Sequence, residues 1–442
     1  IILVLHKFFK KVNKYICLPT KKGDRMKIYF SNTGCGTEYV NFNRLLKATN
    51  STRALHFADA DVVIAHFCGM SSDSFKDIMP SMAILEGMKA NSKIVGDVKV
   101  YVGGCAAEVV NFKKMFPFID GTFRRGHLID DLSKYFGYNP DDFRDIPSSY
   151  GNIITISRGC NRHCGFCKKA YMNMSVSSRP IQLVLQDVNE VITNGHRSIM
   201  LIAENSTEYG IDLPEQPKLL DLLKKIEEVE EIHQITLTGL CIDELVLNSE
   251  LIEYIKNSSK ITQVQVEIQS LDPLVRHQMR LTSTTEQVLW VMKEFSRKSI
   301  ISNIMIGYPG ETTEGFNKQL EVIKENNLYF VQVNKYDDTP RMYANSLAQI
   351  PENLVSIRLM ELMLAVQKLR KQQFIMMKNH TYKAIMQENG KFHLINFYAV
   401  VECSNSKGIS IDEIVDVEIT EIQNTDLMDP LQSFLLKGRV KR

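Results

Sequence analysis

Between residues 153 and 333 short apolar runs alternate with longer runs whose apolar residues recur every three or four positions, and this alternation narrows the fold more than any other feature of the chain. The strand-like runs fall at 153–156, 198–202, 234–238, 262–268, 300–306 and 330–333, and the helix-like runs at 181–193, 217–229, 285–296 and 313–326. Repeated βα units of one hand return each strand parallel to the last. They therefore build a whole or partial (β/α) barrel whose chemistry sits in the loops at the C-terminal ends of its strands. A helix over 352–373 closes this central domain, expected over 148–375. A shorter alternation, with strands at 27–31, 61–65 and 98–102, predicts an N-terminal parallel α/β domain over 26–140. Turn-forming residues cluster after it, at 137–140 and 146–149. Residues 379–442 carry alternating stretches at 396–403 and 413–422 and read as a small β-barrel, so the fold class is α/β with an all-β terminus.

Lys and Arg number 53 against 51 Asp and Glu, so any nucleic-acid partner must be met by a local patch rather than an overall positive field. The apolar opening run of five residues is broken by His6, Lys7, Lys10 and Lys11, too short to span a membrane. The expectation is a cytoplasmic monomer with no membrane partner. Lys22-Gly23-Asp24 stands just before Met26 and can be encoded by a sequence resembling a bacterial ribosome-binding site. Residues 1–25 are thus either untranslated or a short basic leader, and are set aside.

The nine cysteines are odd in number and scattered, which argues against a disulfide scaffold and leaves reduced thiols for metal. Cys160-x3-Cys164-x2-Cys167 follows the first barrel strand. Zinc is one reading, with His163 as a candidate fourth ligand, but closed zinc sites use four protein ligands and no further cysteine pair lies nearby. The better fit is a 4Fe-4S cluster, whose fourth iron three thiolates leave open to the amino and carboxylate groups of S-adenosylmethionine (SAM). Phe166 is a candidate for packing near the adenine, or simple core filling. Cys35, Cys68 and Cys105 each follow a strand of the first domain, and parallel strands deliver such loops to one sheet edge. Read alone, these three are equally buried free cysteines.

The order of those three cysteines, then Ser157-Arg158-Gly159-Cys160-Asn161-Arg162-His163-Cys164-Gly165-Phe166-Cys167, then Ser178-Arg179-Pro180, then Ile306-Gly307-Tyr308-Pro309-Gly310-Glu311-Thr312, resembles the radical SAM methylthiotransferase family. The likeness runs from about Met26 to the C-terminus, whose β segment resembles a TRAM domain. It implies two 4Fe-4S clusters, with Cys35, Cys68 and Cys105 holding an auxiliary one that carries the sulfur to be transferred. It also implies two roles for SAM, as methyl donor and radical source, and an electron donor such as flavodoxin or ferredoxin. By the same resemblance Glu204 meets the SAM amino group, unless it is a capping or solvated residue. Gln269-Ser270 and Arg280 match further family positions, Arg280 as a clamp on the SAM carboxylate, and the turn at Gly307 and Gly310 lets backbone approach adenosine.

The implied reaction replaces an unactivated hydrogen by a methylthio group, on a modified adenosine of tRNA beside the anticodon. Two departures fall where the substrate belongs. Residues 170–176 lack the arginines usual before the Ser-Arg-Pro, and 336–341 replace the family's Tyr-Ser-Arg-x-Gly-Thr pattern. The terminal domain holds seven basic residues against nine acidic ones, the reverse of what phosphate contacts favour. These features favour the alternative of a protein or peptide substrate. An alternative of another class is a non-catalytic iron-sulfur RNA-binding protein. Cys17, Cys241 and Cys403 match no motif and read as packing residues. Trp290, within Val288, Val291 and Phe295, reads as core rather than a base-stacking platform, and the acidic run 227–231 as a solvated helix face.

Overall fold

The computed structural model describes residues 25–32, 36–69, 76–92, 98–108, 110–140, 151–168, 175–337, 343–388, 390–425 and 432–441. The leader, Cys35, residues 170–174 and residues 338–341 lie outside the described residues. Two compact units divide the chain, Ile1–Thr155 and Ile156–Arg442.

In the first unit the strands β1 (Lys27–Asn32), β2 (Thr52–Arg53), β3 (Val62–His66), β4 (Lys99–Gly104) and β5 (Gly121–Arg124) form one parallel sheet in the order β2-β1-β3-β4-β5. β3 is central and buried along its whole length, which is why its sequence is continuously apolar until His66. Helices α1 (Gly36–Ala48), α2 (Ile78–Ser92) and α3 (Phe112–Met115) supply crossovers, and α4 (Leu128–Phe136) follows β5. Val63, Ala65, Val100 and Val102 pack with Met82 and Phe112 in the core. Asn32 pairs with His66 and His66 with Gly103, so three strands end in one register at the edge from which the cysteine loops leave.

The short strand β6 (Ile153–Thr155) ends the first unit, and the second opens on a hairpin of β7 (Ser157–Arg158) and β8 (Ser177–Ser178) that brackets the cysteine loop. Then follow α5 (Ile181–Thr193), β9 (Ser198–Ile202), α6 (Leu219–Glu227), β10 (Gln234–Leu240), α7 (Ile242–Leu245), α8 (Ser249–Asn257), β11 (Ile261–Val266), α9 (Pro273–Gln278), α10 (Thr285–Glu294), β12 (Ser299–Ile306), α11 (Thr313–Glu325) and β13 (Val331–Lys335). The strands form a parallel sheet in the order β13-β12-β11-β10-β9-β6, the open form of the expected barrel. Along β11 and β12 burial alternates, so one side of each strand packs on helices while Gln263, Gln265 and Asn303 face the other way. The helix starts are chemically marked: Thr284 and Gln287 form a capping box on α10, and Asp272 caps α9 ahead of Pro273.

The long helix α12 (Glu352–Met377) leads to β14 (Thr381–Glu388), β15 (Lys391–Leu394), β16 (Val400–Cys403), β17 (Ile414–Asn424) and β18 (Phe434–Val440), which close into a barrel. Its interior packs Phe392, Val401, Val417, Ile419 and Leu436, with Cys403 among them. Asp412 joins the barrel to the sheet by accepting from the Arg197 amide and the Ser198 hydroxyl, both at 2.9 Å. One expectation fails here: Trp290 is 41% exposed. Val288, Val291, Met292 and Phe295 make the buried stripe of α10, and Trp290 lies off it.

Candidate metal and cofactor centre

Cys160, Cys164 and Cys167 are all partly exposed on the loop after β7, within electrostatic reach of one another. The loop is held from several sides. Glu204, after β9, accepts from the Gly159 amide at 3.0 Å, and Glu208 accepts from the Asn161 amide at 3.0 Å. The Met279 carbonyl accepts from the Gly165 amide at 2.9 Å, and Arg280 reaches the His163 carbonyl at 3.5 Å. Both Gln269 and Arg280 adopt left-handed backbone, with φ of 63° and 60°, strain of the kind held at working sites by surrounding structure.

The strongest anchor was not expected. Arg162, inside the cysteine motif, pairs with Asp243, with Glu244 at 2.8 Å and with the Cys241 sulfur at 2.9 Å. Arg276 stands 3.7 Å from the same Asp243, whose carboxylate also accepts from the Thr282 and Ser283 amides at 2.8 and 3.0 Å. Burial disfavours the Asp243 charge, yet these donors hold its carboxyl well below the usual range. Cys241 is therefore a partner of the cysteine loop rather than plain packing; it follows β10 directly, at the sheet edge where the cysteine loop lies, a signal the sequence did carry.

Burial pushes the Cys160 thiol up to about 12, and raises Cys164 against the opposing pull of Arg162. Thiols so placed stay protonated until a metal takes the proton's place. Among the described residues no three His, Cys, Asp or Glu side chains gather tightly enough to share one metal ion.

The other expected residues sit as follows. Phe166 is partly buried against the cluster that holds Val275, Met279, Tyr308 and Tyr336. Gln269 donates to Glu267 at 3.1 Å, and its buried side-chain oxygen has no hydrogen-bond partner among the described residues. Ser270 is buried, bonded to Gln319 and to the Asp272 amide, each at 3.1 Å, so its hydroxyl serves the turn before α9. At Gly307 an added Cβ would meet Val355 at 2.6 Å, and at Gly310 the Gln278 oxygen at 2.2 Å. The room those glycines leave is thus filled by neighbouring side chains. Glu311, buried beside them, is held by Arg358 at 2.8 Å. After β13, Asp337 accepts from Lys168 at 3.2 Å, tying the end of the sheet to the residue after Cys167.

In the first unit Cys68 follows β3 and Cys105 follows β4. The Cys105 thiol is pushed up to about 12, first by its hydrogen bond with Cys68 and then by burial, while Arg125 and His66 pull the other way. The structure therefore brings Cys68 and Cys105 together; Cys35, following β1, lies outside the described residues.

A sequence model of the radical SAM superfamily matches residues 154–323. The ribosomal protein uS12 methylthiotransferase RimO of Carboxydothermus hydrogenoformans is 26% identical over 325 residues, 68% of this chain and 73% of that protein. RimO of Clostridium acetobutylicum is 24% identical over 441 residues, 92% of this chain and 98% of its own. The tRNA-2-methylthio-N(6)-dimethylallyladenosine synthase of Dehalococcoides mccartyi is 25% identical over 336 residues, 72% of this chain and 76% of its own. Among solved structures, the cobalamin-dependent SAM radical enzyme OxsB aligns with a TM-score of 0.52 at 11% identity over 82% of this chain. This chain spans 61% of OxsB, and that likeness speaks for the fold alone. The cysteine loop, the sheet that presents it and these matches agree: residues 154–323 are a radical SAM domain, and over most of its length the chain is similar to methylthiotransferases of that superfamily.

Proposed function

We propose that the chain transfers a methylthio group to a side chain of a polypeptide. Cys160, Cys164 and Cys167 would hold the SAM-binding cluster, and Cys35, Cys68 and Cys105 the auxiliary one. When bound, the first supplies the electron that cleaves SAM and the second the sulfur that is transferred. The chain's own residues do the positioning. Glu204 and Glu208 take up loop amides, Arg162 locks the loop to α7, and Arg280 stands at the loop's edge where a SAM carboxylate suits its guanidinium.

The observation that carries the substrate half is the electrostatics of the terminal barrel. Lys383 pairs with Asp416 at 3.5 Å, Lys391 and Lys437 with Glu402 at 3.5 and 2.5 Å, Arg439 with Glu418 at 2.7 Å, and Lys441 also with Glu418. Cations neutralised in this way offer little to a phosphate backbone, whose binding depends on releasing counterions. Relatives named for uS12 agree with this reading. The second reading, a tRNA adenosine, has the tRNA-modifying relative in its favour. The test is anaerobic turnover of the reconstituted enzyme with reductant, sulfide and SAM, offered ribosomal protein and bulk tRNA separately. A peptide gaining the mass of a methylthio group in place of hydrogen supports the first reading; a nucleoside gaining it, with no peptide changed, replaces it by the second.

A further inference from the structure

At the N-terminal ends of β12 and β13, opposite the cysteine loop, a cavity of about 540 Å³ opens between the sheet and the terminal barrel. Small-ligand sites commonly fall between roughly 300 and 1,000 Å³ and favour the junctions between folding units. Trp290, the chain's single tryptophan, lies on its wall at 41% exposure, and Tyr329, Phe330, Phe397 and Tyr398 line it too. The indole faces this concave wall, with aromatic rings beside it. Around the aromatic faces stand side-chain amides, from Asn326, Asn327 and Asn396, that can both donate and accept.

The charges select among ligands. Lys298 is buried and gives its amine to the Ser258 carbonyl at 2.5 Å. Lys293 and Glu286, both exposed, put one charge of each sign on the same wall. A phosphate would find no concentrated positive charge here, whereas an aromatic side chain flanked by peptide groups matches both rings and amides. We propose that this cavity is an anchoring site for an aromatic residue of the polypeptide partner, remote from the residue modified. The inference rests on the polypeptide reading above. β12 runs from the cavity to the glycine turn, eight residues at about 3.3 Å each. A partner held at both ends therefore spans at least roughly 25 Å, so the anchor lies no fewer than about eight extended residues from the target.

The single tryptophan makes the test direct. The full chain is titrated with acetyl-Ala-Ala-Phe-Ala-Ala-amide, with the all-alanine peptide, and with oligoadenylate, while Trp290 emission is followed. The expected result is a saturable blue shift with the phenylalanine peptide alone, weakened about tenfold or more in Ser296→Leu, where an exposed lining residue is enlarged. Circular dichroism and the melting curve of that variant are expected to match the parent. A response to oligoadenylate and not to the peptide overturns the proposal in favour of a nucleotide site, and silence with all three overturns it outright. Because the readout is binding, the two readings fail separately. If tRNA is modified while the peptide still shifts Trp290, the polypeptide substrate falls; if peptide is modified and Trp290 stays silent, the anchor falls.

Discussion

The two ends of the central sheet are built from different materials. At the C-terminal ends of the strands the contacts are ionic and multiply bonded: Arg162 with Asp243 and Glu244, Arg276 beside them, Arg358 with Glu311. At the N-terminal ends the walls are aromatic and amide-bearing, with space left between them. The difference teaches how a parallel sheet divides its labour. Ionic groups fixed by several partners hold a loop in one geometry, as an oxygen-sensitive cluster and a reacting C–H bond require. Aromatic walls give adaptable contact area without fixing orientation.

The largest separation of the two ends comes from the thiols. Replacing Cys160, Cys164 and Cys167 by alanine is expected to lower reductive SAM cleavage on the order of a thousandfold or more, to the uncatalysed level, while Trp290 emission is unchanged. A parallel loss of both would show that the ends are not independent.

Next come the buried ion pairs. In Arg358→Leu, the buried Glu311 loses the cation that offsets its burial, and in Arg162→Met Asp243 loses the nearer of its two cations, keeping Arg276 and the Thr282 and Ser283 amides. Such half-broken pairs cost about 3–5 kcal/mol, read as a lower denaturant midpoint. Arg162→Met should in addition lower iron retention, which Arg358→Leu should not.

How much of this could be read beforehand differs between the ends as well. The βα alternation, the thiol spacing and the terminal barrel are local patterns, and each expected strand and helix lies within a few residues of an observed one, while shorter elements such as β2, β5 and α8 were not expected. Arg162 was invisible because its partners at 241, 243 and 244 lie about 80 residues away, on another strand's end. The partner of the Ser270 hydroxyl was equally hidden, because Gln319 lies on α11, 49 residues along the chain. Trp290 was misread although the spacing was informative: 288, 291, 292 and 295 close a helical stripe that position 290 does not join.

A smaller effect is expected at the turn. Gly310 has φ of 91° and a Cβ there would press on Gln278, so Gly310→Ala should cost about 1–3 kcal/mol, in part relieved by movement of the flexible Gln278 chain.

A pH effect is expected at the opposite end. Burial lowers the Lys298 amine from its ordinary 10.5 to about 8. Below pH 8 the folded chain carries a buried charge, and that cost fades as the pH rises to 10.5. Stability of the wild type relative to Lys298→Met should therefore climb through that window, as followed by chemical denaturation at stepped pH. A flat difference would mean that the amine is better solvated than its position suggests.

The most direct test of the two-cluster, sulfur-transferring account is iron counting after anaerobic reconstitution, on wild type and on the combined Cys35→Ala, Cys68→Ala, Cys105→Ala variant, with 5′-deoxyadenosine measured in parallel. The account predicts about eight irons falling to about four, with SAM cleavage retained in the variant. About four irons in both would contradict it, leaving a radical SAM enzyme with one cluster and no internal source for the sulfur.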